Sequence, residues 1–232
     1  MSFIFTPHEP VSIEVRGTSD RFPVHRIYCV GRNYAAHARE MGKDPEREPP
    51  FFFTKPADAI VPNNATVPYP PRTNNLHHEI ELVVAIGKAG RNIAVADALD
   101  YVYGYAVGND LTRRDLQLEA RDKGRPWDTG KAFDKSAPIT AIVPVAQCGH
   151  ISKGRIWLKV NGETRQDADV SELIWNVPEV IAELSTLFTL APGDLIFTGT
   201  PAGVGALKVG DRVEGGIDGL DVLVTTIGPS EA

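Results

Sequence analysis

Cysteine is nearly absent: Cys29 and Cys148 are the only two in 232 residues. Two thiols cannot build a disulfide framework, so reduced thiols in a reducing compartment are expected. No uninterrupted apolar run reaches 18 residues, which argues against a membrane-spanning helix. The first ten residues carry no basic stretch followed by a long apolar one. Neither a secretory signal nor an Arg-rich transit peptide is expected, and the cytoplasm is the expected location. Positive charge is also scarce, with 24 Lys and Arg against 30 Asp and Glu, a net charge of −6. Such a chain is a poor non-specific partner for nucleic acid or an anionic membrane. There is no zinc-type Cys/His spacing, no internal repeat and no low-complexity tract.

What is plentiful is glycine and proline, 21 and 18 residues, which favour short strands joined by many turns. Residues 1–24 read as an irregular lead-in and residues 25–232 as one catalytic domain. Strands are expected at 26–30, 51–54, 78–86, 101–109 and 195–198, with one or two more between 211 and 227. Asn161-Gly162 between two strand-like runs predicts a type I′ hairpin. Helices are expected at 34–41, capped by Asn33 and ended by Gly42, and from the Thr112-to-Asp115 capping box to Lys123. A third runs from Asn176 to Phe188 with Glu179 at N3. Residues 56–76 read as a long ordered loop. The sum is an α+β chain, mainly β.

Certain residue types carry chemistry in this pattern. Glu79 and Glu81 are two apart in a strand and so leave the same face. A solvated outer face would show the same alternation. Asp110, at the end of the 101–109 strand, could join them in an all-oxygen site, or be an ordinary turn residue. If a metal binds there, oxygen ligands favour Mg²⁺ or Mn²⁺. His37 and Glu40 are i, i+3 on one helical face, as in a carboxylate-oriented general base, or as in any surface pair. Arg114 lies in the first turn of a helix, where the dipole disfavours a cation, so a role other than helix stability is expected. Lys55 and Lys131 could join it in clamping substrate carboxylates. The Gly199-to-Gly205 run, including Thr200, is neither a P-loop nor a dinucleotide fingerprint. It is expected to offer backbone amides and a hydroxyl to an anion.

In order along the chain, Cys29-to-His37, Phe53-Thr54-Lys55-Pro56, His77-to-Leu82, Gly108-to-Thr112, Gly130-to-Asp134, Val160-to-Glu163 and Thr198-to-Gly205 resemble the fumarylacetoacetate hydrolase family. The likeness is to its short single-domain branch and spans roughly residues 26–228. It implies a mixed β-sandwich roll, usually a homodimer, with Mg²⁺ or Mn²⁺ on Glu79, Glu81 and Asp110. It further implies a His37–Glu40 dyad on a lid helix and Lys131 as a substrate or oxyanion partner. Arg32, Lys55, Arg114, Gln117 and Thr200 are the expected substrate contacts. The implied reaction on a small oxo-acid is hydrolytic carbon–carbon cleavage of a 3-acylpyruvate, with fumarylpyruvate of gentisate breakdown the favoured substrate. Decarboxylation of oxaloacetate or another oxo-diacid, and isomerisation of a dienedioate, are the alternatives within the family. A non-catalytic dicarboxylate-binding pseudoenzyme is the alternative from another class.

Overall fold

The computed structural model describes residues 2–40 and 48–231. Its centre is an eight-stranded mixed sheet. Strands Phe51–Lys55, Ile27–Gly31, Leu195–Phe197, Ile80–Ile86, Val102–Asn109, Ala137–Ile139 and Ile60–Pro62 follow one another across it, and Val143–Pro144 pairs beside Val102–Asn109. A five-stranded sheet (Glu163–Asp169, Arg155–Val160, Arg212–Ile217, Leu223–Gly228, Thr66–Pro68) packs on it. A three-stranded ribbon joins Thr112–Arg113, Leu76–His78 and Gly205–Ala206. This is the α+β, mainly β architecture expected.

Both faces of the Ile80–Ile86 strand are covered, and every one of its residues is buried. Ile80, Leu82, Val84 and Ile86 enter one core with the five-stranded sheet and the Val177–Leu187 helix. Val83 and Ala85 enter a second core on the opposite face. The alternation that suggested a solvated face is therefore an alternation between two interiors, and Glu81 lies inside. The second core also takes Ile13 and Phe22 from a small hairpin, Ser12–Glu14 with Arg21–Pro23, within the expected lead-in.

The hairpin turn forms with Asn161 at φ +52° and Gly162 at φ +83°, as a type I′ turn requires. The Asn176–Glu179 capping box forms as well. Other local expectations are corrected. Residues 56–76 contain two short edge strands, Ile60–Pro62 and Thr66–Pro68, each ending in a proline that an edge tolerates. The helix after Asp110 begins at Arg114 without side-chain capping. Its presumed capping residues are engaged elsewhere: Thr112 Oγ1 donates to Asp110 O, and Asp115 accepts from Thr73 Oγ1. Asn33 does not cap the helix Ala35–Glu40. Its amide donates to the carbonyls of Trp175 and Thr198 and accepts from Trp175 N–H, tying three segments together. The expected end of that helix, Met41 and Gly42, lies outside the described residues. Two short helices that the sequence pattern did not suggest, Asp128–Lys131 and Val145–Cys148, complete the structure.

Candidate active site

Strand register assembles the carboxylates. In the antiparallel pair, Ile80 faces Asn109 and Glu81 faces Gly108. Asp110 therefore follows directly beside Glu79. The join is locked by Asp110 N–H to Glu79 O and by Glu79 N–H to Asn109 Oδ1, both 2.8 Å. Glu79 occupies the break between two strands, which turns its side chain toward Glu81 and Asp110. One oxygen from each of the three lies within 4.8 Å of the others, and all three residues are buried.

Three cations border this cluster. Lys131 Nζ bridges Glu79 Oε2 at 2.7 Å and Asp110 Oδ2 at 2.6 Å. It arrives on the Asp128–Lys131 turn, where Gly130 approaches so closely that a Cβ would stand 2.8 Å from Gln117 N. Arg114 donates to Glu79 Oε1 and to Gln117 Oε1. The cation in the first helical turn thus serves a buried carboxylate rather than the helix. Lys55 is not on the cavity wall, so its expected substrate contact is corrected. Its ammonium directs its three protons to Leu111 O, Lys131 O and Ser136 Oγ. It stands 2.8 Å from Asp110 Oδ1, behind the cluster.

The electrostatics differ between neighbours. Burial alone would raise the Glu79 carboxyl, but Lys131 and Arg114 outweigh it and hold the group well below the ordinary carboxylate range. Among the described residues Glu81 forms no ion pair, and it accepts Gly199 N–H at 2.7 Å. Burial, then the charges of Asp110 and Glu79, push it well above that range. Burial would lower Lys131, yet Asp110 and Glu79 keep it raised and charged.

These residues fit a divalent cation. The donors are all hard oxygens, and among the described residues Glu81 forms no ion pair and the buried Asp110 Oδ1 has no aligned hydrogen-bond donor.

The cavity above the cluster is lined by His37, Arg32, Gln117 and Thr200, among others. His37 Nδ1 lies 3.2 Å from Glu40 Oε2. A carboxylate can only accept there, so Nδ1 is the donor and Nε2 of a neutral ring keeps its lone pair. Glu40 also accepts Gly203 N–H, and its carboxyl is lowered by the His37 hydrogen bond first. The glycine-rich loop therefore gives two amides, Gly199 and Gly203, to the protein's own carboxylates rather than to a ligand. Gly199 sits at φ +102°, a conformation suited to glycine. Thr200, next in line, does reach the cavity.

One residue bonded to the cavity wall escaped the sequence reading. Gln166 is fully buried in the otherwise polar strand Glu163–Asp169. Its Oε1 accepts from Ile80 N–H and His78 Nδ1, and its Nε2 donates to Pro201 O and Thr200 Oγ1. No apolar alternation marks it, and a register shift in the hairpin near Leu158 helps set which strand residues face inward.

The sequence profile described as "Fumarylacetoacetate (FAA) hydrolase C-terminal" matches residues 26–228. The chain is 52% identical over 193 residues to a fumarylpyruvate hydrolase of Ralstonia sp, covering 82% of this chain and 100% of that protein. It is 47% identical over 194 residues to the mitochondrial oxaloacetate tautomerase of Homo sapiens, covering 84% of this chain and 87% of that one. Among solved structures, it resembles fumarylpyruvate hydrolase from Pseudomonas aeruginosa in complex with Mn²⁺ and pyruvate. There the TM-score is 0.97 and the identity 55%, covering 99% of this chain and 100% of the other.

Proposed function

The chain belongs to the fumarylacetoacetate hydrolase family, and on that premise we propose that it hydrolyses a 3-acylpyruvate, namely fumarylpyruvate to fumarate and pyruvate. The observation that carries this reading is the His37–Glu40 pair on the wall of the cavity that ends in three buried carboxylates. It is supported by the 52% and 55% identities to fumarylpyruvate hydrolases.

Glu79, Glu81 and Asp110 would hold Mg²⁺ or Mn²⁺, which when bound supplies Lewis acidity toward the pyruvoyl oxygens. The remaining work falls to side chains. His37 Nε2 takes a proton from the water that adds to the distal carbonyl carbon, and Glu40 stabilises the imidazolium that forms. Lys131 has three N–H donors, two of them committed to Glu79 and Asp110. The third is available to the oxyanion. As the carbon–carbon bond breaks, its electron pair passes to C3 of the departing pyruvate. The His37 proton is then returned to that carbon. Thr200, Arg114, Gln117 and Arg32 hold carboxylate and carbonyl oxygens, while the residues above the cluster exclude bulk water.

A second reading follows from the 47% identity to an oxaloacetate tautomerase: the same carboxylate cluster enolises or decarboxylates oxaloacetate without an attacking water. Synthetic fumarylpyruvate, followed by loss of its enol absorbance with Mg²⁺ or Mn²⁺, decides between them. Turnover of oxaloacetate alone would overturn the hydrolase reading. The family resemblance also supports a homodimer, with residues 25–232 as its catalytic domain behind a lead-in at 1–24, and the likeness to the Ralstonia sp fumarylpyruvate hydrolase supports the cytoplasm. Sedimentation would report a monomer if the dimer is wrong.

A further inference from the structure

The Arg114–Asp122 helix carries a second cation in line with the first. Arg114, Gln117, Leu118 and Arg121 fall at i, i+3, i+4 and i+7, one helical face, and all four line the cavity. At 1.5 Å rise per residue, Arg121 stands about 10 Å along the axis from Arg114. The inner end of this ladder touches Glu79 through Arg114. Among the described residues, the carboxylates on the cavity wall are Glu79, Glu81 and Asp110, all at that inner end.

The outer end is basic and aromatic. Arg32 and Arg121 line the cavity there, with Trp127. The same three side chains continue into a groove outside it, joined by Arg125 and facing, among the described residues, one carboxylate, Asp128. Arg32 is held at φ +57°, where residues other than glycine are uncommon and local strain often marks a functional position. Its guanidinium lies 5.1 Å from the centre of the Phe51 ring, and Phe51 meets Trp127 edge-on at 5.2 Å. Arg121 pairs with its exposed neighbour Asp122 at 2.9 Å. An exposed pair of that kind is weak and readily exchanged for another anion.

From this arrangement, and resting on the acylpyruvate reading above, we infer that Arg121 and Arg32 bind a carboxylate at the far end of the acyl group. The site is thereby selective for acylpyruvates that end in a carboxylate. Length agrees with this assignment. With carbon–carbon bonds of about 1.5 Å, a trans seven-carbon dioxo-diacid spans roughly 7–8 Å between its carboxyl carbons. That reaches from the inner cluster toward Arg121, whereas a four-carbon oxo-diacid falls short.

The test compares fumarylpyruvate with acetylpyruvate, which ends in a methyl group, on the wild type and Arg121→Gln. A charged hydrogen-bond partner lost at a binding site lowers kcat/KM by about 10- to 100-fold. That loss is expected for fumarylpyruvate, mainly through KM, with acetylpyruvate within about 2-fold of wild type. Equal losses on both substrates, or none on either, would overturn the inference. So would a wild type that turns over both equally well. Arg121 is partly exposed, so Arg121→Gln is expected to fold as the wild type does. A wild type inactive on both acylpyruvates would instead remove the hydrolase reading, and this inference with it.

Discussion

Gln166 Nε2 donates to Thr200 Oγ1 at 2.8 Å, and this fixes which way the threonine hydroxyl works. Pro201 O and Ile80 N–H settle the orientation of the Gln166 amide, because one accepts and the other donates. Thr200 must therefore use its own proton on something else, and the cavity is the side it lines. A buried amide in a sheet thus leaves a cavity hydroxyl with its proton to donate.

Gln166→Glu is expected to reverse that direction, since a carboxylate at this position accepts the Thr200 proton. KM for acylpyruvates should rise by about 10-fold, the scale of one hydrogen bond, with kcat within about 3-fold. Thr200→Val should give a KM rise of the same size, and the double variant no more than either alone. Steady-state kinetics on the four proteins checks this, and additive effects would count against the relay.

His37→Asn keeps the ring's approximate volume but removes the base. Acylpyruvate hydrolysis should fall by about 10²- to 10⁴-fold, the usual contribution of a general base. Oxaloacetate decarboxylation, which needs no attacking water, should be largely spared. Retained acylpyruvate cleavage would dismiss His37 as the base.

The raised Glu81 carboxyl makes metal-free stability depend on pH. Between the ordinary glutamate value and the raised one, the folded chain keeps a proton that the unfolded chain releases. Stability then falls as pH rises, by at most about 1.4 kcal/mol per pH unit for one proton. Mn²⁺ displaces that proton, so metal affinity should climb with pH and the melting temperature of the loaded protein should lose this slope. Melting curves from pH 5 to 8, with Mn²⁺ or with EDTA, measure both. Parallel curves in the two conditions would refute the link.

Lys55→Met should unfold rather than merely weaken substrate binding. It removes the donor to three buried acceptors and the cation beside Asp110. Breaking a buried pair in this way costs about 3–5 kcal/mol. Chemical denaturation is the measurement. A stable variant with a raised KM would return Lys55 to the role of a substrate contact.

Much of the site is legible in the chain because its residues sit at fixed local spacings. Glu79 and Glu81 lie two residues apart at the start of a strand, His37 and Glu40 share a helix face, and Asp110 follows the end of a strand. The Asn161-Gly162 turn and the Asn176 cap are equally local, so they follow from backbone preference alone. Capping at Thr112 and Asn33 failed for the opposite reason. Both side chains had tertiary partners available, Asp110 O for one and the Trp175 and Thr198 backbone for the other, and these took the hydrogen bonds.

The amino-acid order by itself determined the chemistry on offer: hard oxygen donors, an imidazole beside a carboxylate, and the cations Lys55, Arg114 and Lys131. Only the tertiary structure decided burial, and burial separates functions that the sequence left equivalent. Glu79 and Glu81 alternate identically along the chain, yet one is neutralised by Lys131 and Arg114 while the other is pushed toward its protonated form. Lys55 and Lys131 read as the same kind of cation. One lies behind the carboxylates and the other faces the cavity, because charge in a low-dielectric interior is governed by which groups the fold brings within a few ångströms.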